Sequence, residues 1–348
     1  FREGKMHMAD ALLSPAVGAT MLVAAGGVLA LSARRLDRQA DDRLVPLMGV
    51  LGAFIFAAQM INFAIPATGS SGHLGGWLLL AILLGAPAAF IVIASVLTVQ
   101  ALFFADGGLL ALGANIFNLG FLPCFVAYPL IYRPLAGDGS SHGRVVAGAV
   151  LAAIVGLQLG AAGVVLQTIA SGISNLSFGT FAALMLPIHL AIGLVEGIVT
   201  AVVVLFVLRA RPDLFTARPS PAETPLRLLA GFAVAAALIG GVLSWFASAH
   251  PDGLEWSLER AATGAPAEDA GVKGWLAQAQ QRVALLPDYG FARAQAEAPA
   301  VETEATWPDV NLGTTTSGIV GGVLTLALVA GAGTLLRRLR RDAGPPSG

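Results

Sequence analysis

Charge is what this sequence lacks most. Only 12% of its 348 residues are Asp, Glu, Lys or Arg, about half the usual share in a globular protein. Hydrophobic residues make up 56% and the mean hydropathy is +0.77. So little charge does not cover the surface of a soluble domain of this size, which excludes a soluble enzyme. A single cysteine excludes a disulfide scaffold. The apolar content excludes a disordered chain, and a net charge of −1 argues against a nucleic-acid partner. The chain also has no GxxxxGK[ST] phosphate loop, no H-E-x-x-H zinc pair and no G-x-S-x-G elbow. A polytopic membrane protein remains.

Apolar runs fall at approximately 12–33, 45–65, 76–104, 111–132, 146–170, 180–208, 227–247 and 317–336. About 20 such residues span roughly 30 Å of hydrocarbon as a helix. Their length and lack of alternation favour helix over barrel strand. Between Leu44 and Leu208 stand three acids, Asp106, Asp138 and Glu196, and two arginines, Arg133 and Arg144. Basic clusters at Arg34–Arg43, Arg133–Arg144, Arg209–Arg227 and Arg337–Arg341 mark the cytoplasmic side. The segments around His73 and at 171–179 carry no Lys or Arg and read as external.

Two runs between His73 and Arg133 give the wrong parity for that orientation. The run 76–104 is too long for one span and contains Gly85-Ala86-Pro87, a break signal. Divided there, one half being short or re-entrant, the chain is expected to be an all-α polytopic membrane protein. It would have about seven transmembrane helices before residue 210, two after it, and an external N-terminus. The first run lacks a strong basic n-region and a small-residue cleavage site, so it is expected to be a retained helix. Residues 248–316 hold ten acids against four bases. They are expected to form a solvated external loop between the last two spans.

Few side chains are available for chemistry. Met6-His7-Met8 precedes the first span on the expected external side. If the chain begins at Met6, its amine, the His7 backbone nitrogen and the His7 imidazole form a chelate. A fourth nitrogen would complete the square plane that suits Ni(II) or Cu(II). His73 lies in Ala67-Thr-Gly-Ser-Ser-Gly-His73-Leu-Gly-Gly76, a small-residue loop able to close around a small ligand. Each histidine alone is more simply structural, but the two flank one helical hairpin. His189 and Glu196 share a helix face seven residues apart. Ionisable groups inside a membrane are functional candidates, and structural pairing is the simpler role. Asn115 and Asn118 suit interhelical hydrogen bonds, and Cys124 suits a buried core thiol. Ala16, Thr20 and Ala24 form a small-residue row able to dock a membrane subunit.

Taken as a set, four segments resemble the substrate-binding (M) subunit of nickel/cobalt energy-coupling factor (ECF) transporters. They are Met6-His-Met-Ala-Asp-Ala-Leu-Leu-Ser-Pro15, Asn62-Phe-Ala-Ile-Pro-Ala-Thr-Gly-Ser-Ser-Gly-His73-Leu-Gly-Gly76, Gln100-Ala-Leu-Phe-Phe-Ala-Asp106 through Asn115-Ile-Phe-Asn118, and His189-Leu-Ala-Ile-Gly-Leu-Val-Glu196-Gly197. Pro251-Asp252-Gly253-Leu254-Glu255, followed by Pro287-Asp288-Tyr289, looks like the small N subunit fused to it. The resemblance implies an M-type domain at 6–215, an N-type domain at 216–348, and residues 1–5 as an upstream extension. It implies capture of Ni²⁺ or Co²⁺ as transported ligand, with no other cofactor. The ligands would be the Met6 amine, the His7 amide nitrogen, the His7 imidazole and the His73 imidazole. Ser71, Asn115, Asn118, His189 and Glu196 are expected to support them. The implied partners are a transmembrane coupling (T) subunit and cytoplasmic ATPases in a bacterial plasma (inner) membrane, so this chain itself would be no enzyme. With residues 1–5 attached Met6 has no free amine, so the active form is expected to begin at Met6. A stand-alone proton-coupled metal permease using His189 and Glu196, or an intramembrane enzyme, are the competing readings.

The orientation is testable by labelling. Asn175→Cys should react with an impermeant thiol reagent from outside, and Ser140→Cys should not. Equal external reactivity at both positions would sink the assignment.

Overall fold

The structure, a computed structural model, describes residues 6–39, 44–210, 226–261, 271–291 and 307–342. The extension 1–5, most of the basic cluster at 209–227 and parts of the acidic stretch lie outside these described residues.

After a 3₁₀ turn at Asp10–Leu12 come α1 (Pro15–Gln39) and α2 (Leu44–Gln59). A hairpin of β1 (Phe63–Ile65) and β2 (Ser70–Gly72) leads to α3 (Trp77–Leu84) and α4 (Ala86–Phe104). Then follow α5 (Leu112–Ala136), α6 (His142–Ser171), α7 (Phe178–Ala210) and α8 (Leu226–Gly241). The chain ends with the short helices α9 (Gly253–Ala261) and α10 (Val272–Val283) and with α11 (Leu312–Asp342). Among the described residues six helices, α1, α4 to α7 and α11, are long and apolar enough to cross a membrane, and α2 and α8 are shorter apolar helices.

The expected break in the third run is present. Gly85 stands between α3 and α4 at φ 81°, a left-handed region open to glycine at little cost. Pro87 then occupies the first turn of α4, where its missing N–H is not needed. In α5 the prolines Pro123 and Pro129 lie inside the helix. Proline cannot supply an N–H to the preceding turn, and the stretch Phe117–Tyr132 is wound as a π-helix. Helices α6 and α7 pack through glycine. A Cβ on Gly193 would stand 2.8 Å from Ile154 Cα, so the backbones approach as only small residues allow.

Two expectations change. The run 45–65 is not helical throughout. Its helix stops at Gln59, and the tail forms the hairpin, antiparallel with Phe63 opposite Gly72 and Ile65 opposite Ser70. The polar stretch after residue 248 is also not merely solvated. Asp252, Leu254 and Leu258 are buried, and α9 packs on α7. Spaced apolar side chains at 254 and 258 on one helix face explain why an acidic segment folds back onto the bundle. Two helices of the C-terminal part, α8 and α11, pack against α2. Cys124 is a free, buried thiol. Ala16 and Thr20 face outward from α1.

At Gly76, φ is 74° and an added Cβ would lie 2.5 Å from Ile55 Cδ1. Gly76→Ala is therefore expected to cost about 1–3 kcal/mol. Gly85→Ala, with no heavy atom within 4 Å, should cost less. Thermal unfolding of the purified variants measures both.

Candidate metal centre

The N-terminal segment is drawn into the fold rather than left on its surface. Met6, His7 and Met8 are all buried. Asn115 grips Met8 on both sides of the backbone: its Oδ1 accepts from Met8 N at 3.1 Å, and its Nδ2 donates to Met8 O at 3.1 Å. Gly108 N also donates to Met8 O, at 3.0 Å. Asp10 Oδ1 accepts from Ala111 N at 2.9 Å. The loop Asp106-Gly107-Gly108 lies so close that a Cβ at Gly107 would be 3.0 Å from His7 Cβ. The backbone N–H of His7 donates to Asp106 Oδ1 at 3.2 Å, and Tyr289 Oη donates to Asp106 Oδ2 at 2.7 Å.

The His7 ring ends a chain of amides whose direction is set at its far end. Gly75 O can only accept, and Gln59 Nε2 donates to it at 2.9 Å. Gln59 Oε1 then faces Gln100, whose Nε2 donates to it at 2.8 Å. That leaves Gln100 Oε1 as the acceptor 3.0 Å from His7 Nε2. His7 must therefore carry its proton on Nε2. Its Nδ1 keeps the lone pair, is buried, and has no hydrogen-bond partner among the described residues. A buried unpartnered acceptor carries a desolvation cost of about 1–3 kcal/mol. That is the ring nitrogen that closes a chelate with the amide nitrogen of the same residue.

His73 follows β2 and stacks on His7, with ring centroids 5.5 Å apart and planes inclined by 29°. Its Nδ1 lies 3.1 Å from Asp252 Oδ1. Against a carboxylate Nδ1 is the donor, which leaves the lone pair on Nε2. Burial opposes a charge on His73, but the Asp252 carboxylate outweighs it and raises the imidazole above its usual range. Asp252 is held below the usual carboxylate range, because His73 overcomes the effect of its burial.

The loop bearing His73 is pinned from below. Glu196 is buried on α7, and its oxygens accept from Gly75 N at 2.8 Å and Gly76 N at 3.0 Å. These amides stand at the start of α3, where the helix offers unpaired N–H groups to an anion. From above, Ser71 N donates to Pro251 O at 2.8 Å, and Ser71 Oγ donates to His250 O at 2.8 Å. Trp256 Nε1 donates to Thr68 O at 3.0 Å.

A cavity of about 50 Å³ opens between these elements. Its walls include His7, His73, Asn115, Asn118, His189 and Asp252. Such a space holds an ion or a few waters, well short of the 300 Å³ or so of an organic-ligand pocket.

His7, His73 and Asn115 thus meet at one cavity, whereas Ser71 ties the hairpin to His250 and Pro251. Asn118 lines the cavity and pairs with Gln167 of α6 through both amide atoms, at 2.8 and 3.0 Å. This is the interhelical bond expected of it. His189 donates from Nδ1 to Met185 O at 2.8 Å and presents its ring to the cavity. Glu196 acts on the His73 loop rather than on His189. Of the motif Pro251–Glu255, Pro251 and Asp252 reach the hairpin, Gly253 packs at α7, and Leu254 is buried. Glu255 is only partly buried. Its carboxyl is pushed up to about 7, first by burial and then by the nearby charges of Glu259 and Asp252. Sequence reasoning gave no role to Gln59, Gln100, Asp106 or Tyr289. Gln100 and Asp106 lie within a resembling segment, and nothing in their spacing pairs them with His7.

With this geometry in view, the similarities are specific. The family of cobalt uptake substrate-specific transmembrane regions matches residues 7–214, and a PDGLE domain matches residues 226–338. The chain belongs to that transporter family. A putative fused nickel transport protein NikMN of Archaeoglobus fulgidus is 34% identical over 97% of this chain and 100% of its own length. The fused nickel transport protein NikMN of Rhodobacter capsulatus is 33% identical with the same coverage. Cobalt transport protein CbiM of Geobacter sulfurreducens is 30% identical over 60% of this chain and 61% of its own. The crystal structure of a truncated transition metal transporter superimposes with a TM-score of 0.52 at 32% identity, covering 59% of this chain and 99% of that one. The protein is therefore a multi-pass membrane protein of a nickel/cobalt transport family, with an M-type part fused to an N-type part.

The amide chain generates a test. Gln100→Leu removes the acceptor that holds the proton on His7 Nε2, and Ni²⁺ affinity of the purified protein should fall about 10–100-fold. Gln59→Leu, one step further away, should cost less. An unchanged affinity in Gln100→Leu would show that the tautomer is set elsewhere.

Proposed function

We propose that this chain captures Ni²⁺ or Co²⁺ on the external face for an ATP-driven ECF importer. The ligands are the Met6 amine, the His7 amide nitrogen, His7 Nδ1 and a His73 ring nitrogen. The observation that carries this reading is the buried, unpartnered His7 Nδ1 beside His73. Each ring already has its other nitrogen engaged, by Gln100 and by Asp252. Four nitrogens in a plane favour Ni²⁺ on ligand-field grounds, and Co²⁺ also binds deprotonated amides. The relatives similar over the whole chain are named as nickel transport proteins, which supports nickel as the cargo.

Binding has a proton stoichiometry. The amine and imidazole must offer lone pairs, and the His7 amide must lose the hydrogen it now donates to Asp106. Until metal arrives, Asp106 and Asn115 hold this backbone in place, so little ordering remains for the binding step. The cargo enters from outside, and a transmembrane coupling subunit with cytoplasmic ATPases drives its passage through the plasma membrane. The chain hydrolyses nothing itself. A stand-alone proton relay through His189 and Glu196 gains no support, because Glu196 is occupied by the Gly75 and Gly76 amides and His189 Nδ1 by a backbone carbonyl.

The decisive measurement is uptake with Ni²⁺ and Co²⁺ in competition, in membranes containing the partner subunits. The chain starting at Met6 should transport, and His7→Ala should abolish uptake. His73→Ala should lower it about 10-fold or more, and the chain with residues 1–5 attached should fail. Equal uptake by all four would end the four-nitrogen reading, and uptake persisting without an ATPase would favour the stand-alone permease.

Acid should weaken binding. A His73 imidazole raised above its usual range holds its proton to higher pH, and a protonated ring offers no lone pair. Affinity should therefore rise with pH through the His73 titration. Asp252→Asn, which removes the carboxylate charge, should shift that rise to lower pH when affinity is measured by pH-stepped titration.

A further inference from the structure

The C-terminal part approaches the metal centre at more than one point. Asp252, in the PDGLE domain, is 5% exposed and lies 179 residues from His73 in sequence. Its Oδ1 is 3.1 Å from His73 Nδ1. Its Oδ2 accepts from Leu254 N, at 3.4 Å, at the start of α9. The backbone beside it is tied to β2, with Ser71 N donating to Pro251 O and Ser71 paired to Asp252 as a parallel bridge. The carboxylate is therefore fixed at both ends: one oxygen turns toward its own helix and the other toward the imidazole. On the other ligand segment Tyr289, also in the PDGLE domain, bonds Asp106, which holds the His7 N–H.

We propose that Asp252 is a positioning residue for metal capture: by accepting the Nδ1–H of His73 it holds that ring with its Nε2 lone pair available as the fourth nitrogen. The inference rests on the four-nitrogen reading. A histidine ligand whose other ring nitrogen donates to a carboxylate has a fixed tautomer and ring orientation and is a stronger donor. Here the carboxylate comes from the fused part. The M-type part, lacking this acceptor, leaves His73 free to take either tautomer and to turn. The N-type part thus completes the site without supplying a ligand.

Arginine or lysine is not the counter-group. Among the described residues the carboxylates acting on His73 are Asp252, Asp106 and Glu196, and its other titratable neighbours are two imidazoles, His7 stacked on it and His189 across the cavity. Asp252 alone of these makes a side-chain bond to the ring.

The test uses the full chain beginning at Met6, purified in detergent, with Ni²⁺ as the probe. Asp252→Ala should weaken binding about 10–100-fold. Asp252→Asn should keep most of the affinity, because its Oδ1 still accepts from Nδ1. Asp252→Glu, with the charge kept but the carboxylate displaced, should weaken binding and shift the Ni²⁺ d–d absorption band. In a His73→Ala background the remaining three-nitrogen chelate still binds, and adding Asp252→Ala should cost nothing further. An additive loss there, an Asn variant as weak as the Ala variant, or an Ala variant that binds like the parent would each overturn the proposal. If Asp252→Ala does not fold, the Asn and Glu pair decides it: Glu binding as well as Asn overturns it. His73→Ala binding like the parent defeats the four-nitrogen site itself, a failure distinct from loss of the Asp252 effect alone.

Discussion

Burying charge in an apolar bundle is costly unless hydrogen bonds satisfy it. Glu196 meets that condition with the N–H groups of Gly75 and Gly76, and the rest of the centre follows from this contact. It fixes the first residues of α3, and so the height at which the His73 loop leaves the bundle. It also presents Gly75 O to Gln59, which orients Gln100 and through it the His7 ring. One carboxylate on α7 therefore reaches both histidines: His73 through the backbone between 73 and 76, and His7 through two amides. The glycines are required for this. A side chain at Gly75 would crowd Glu196 Oε2 at 3.1 Å, and Gly76 stands at positive φ against Ile55.

The architecture was largely legible because it depends on local composition. Run length placed the membrane helices, and Gly85-Ala86-Pro87 marked the break between α3 and α4. The hairpin after Gln59 was not legible, because Phe63-Ala64-Ile65 is as apolar as the helix before it. Apolarity reports burial and not backbone conformation. The end of that helix is visible only in the small polar turn that follows. The π-wound stretch of α5 escaped for a related reason. Pro123 and Pro129 announce an interruption, but whether a helix kinks or widens depends on what packs against it.

The proposed metal centre was legible in its two histidines and illegible in their supports. His7 and His73 stand out because polar residues are scarce and flank one hairpin. Asp252 stands out only as a motif. Its partner lies 179 residues away, and no spacing rule reaches across that distance. An acidic segment is usually a solvated one, and that regularity failed here because Leu254 and Leu258 make one face of α9 apolar enough to dock on α7. Gln59 and Gln100 escaped because an amide in a membrane helix is ordinarily interhelical glue. They are glue here too, but glue whose polarity matters. Each amide has a donor end and an acceptor end, and the chain they form carries the direction of one backbone carbonyl to an imidazole.

That directionality bears on why fusion to an N-type part suits this site. The His7 side is held mainly by M-type residues, Gln100, Asn115 and Asp106, the last of which Tyr289 of the fused part bonds in turn. The His73 side is held from below by Glu196 but receives its ring acceptor from Asp252 across the fusion. A centre whose halves are ordered by different parts of the chain is sensitive to their mutual docking. α8 and α11 pack on α2, and α2 carries Gln59. Any movement of the C-terminal helices against α2 therefore acts on both histidine supports together: on the amide chain through Gln59, and on His73 through the segment that carries Asp252. If the proposed four-nitrogen plane holds the ion, binding responds steeply to such movement, because misplacing one donor loses the geometry shared by all.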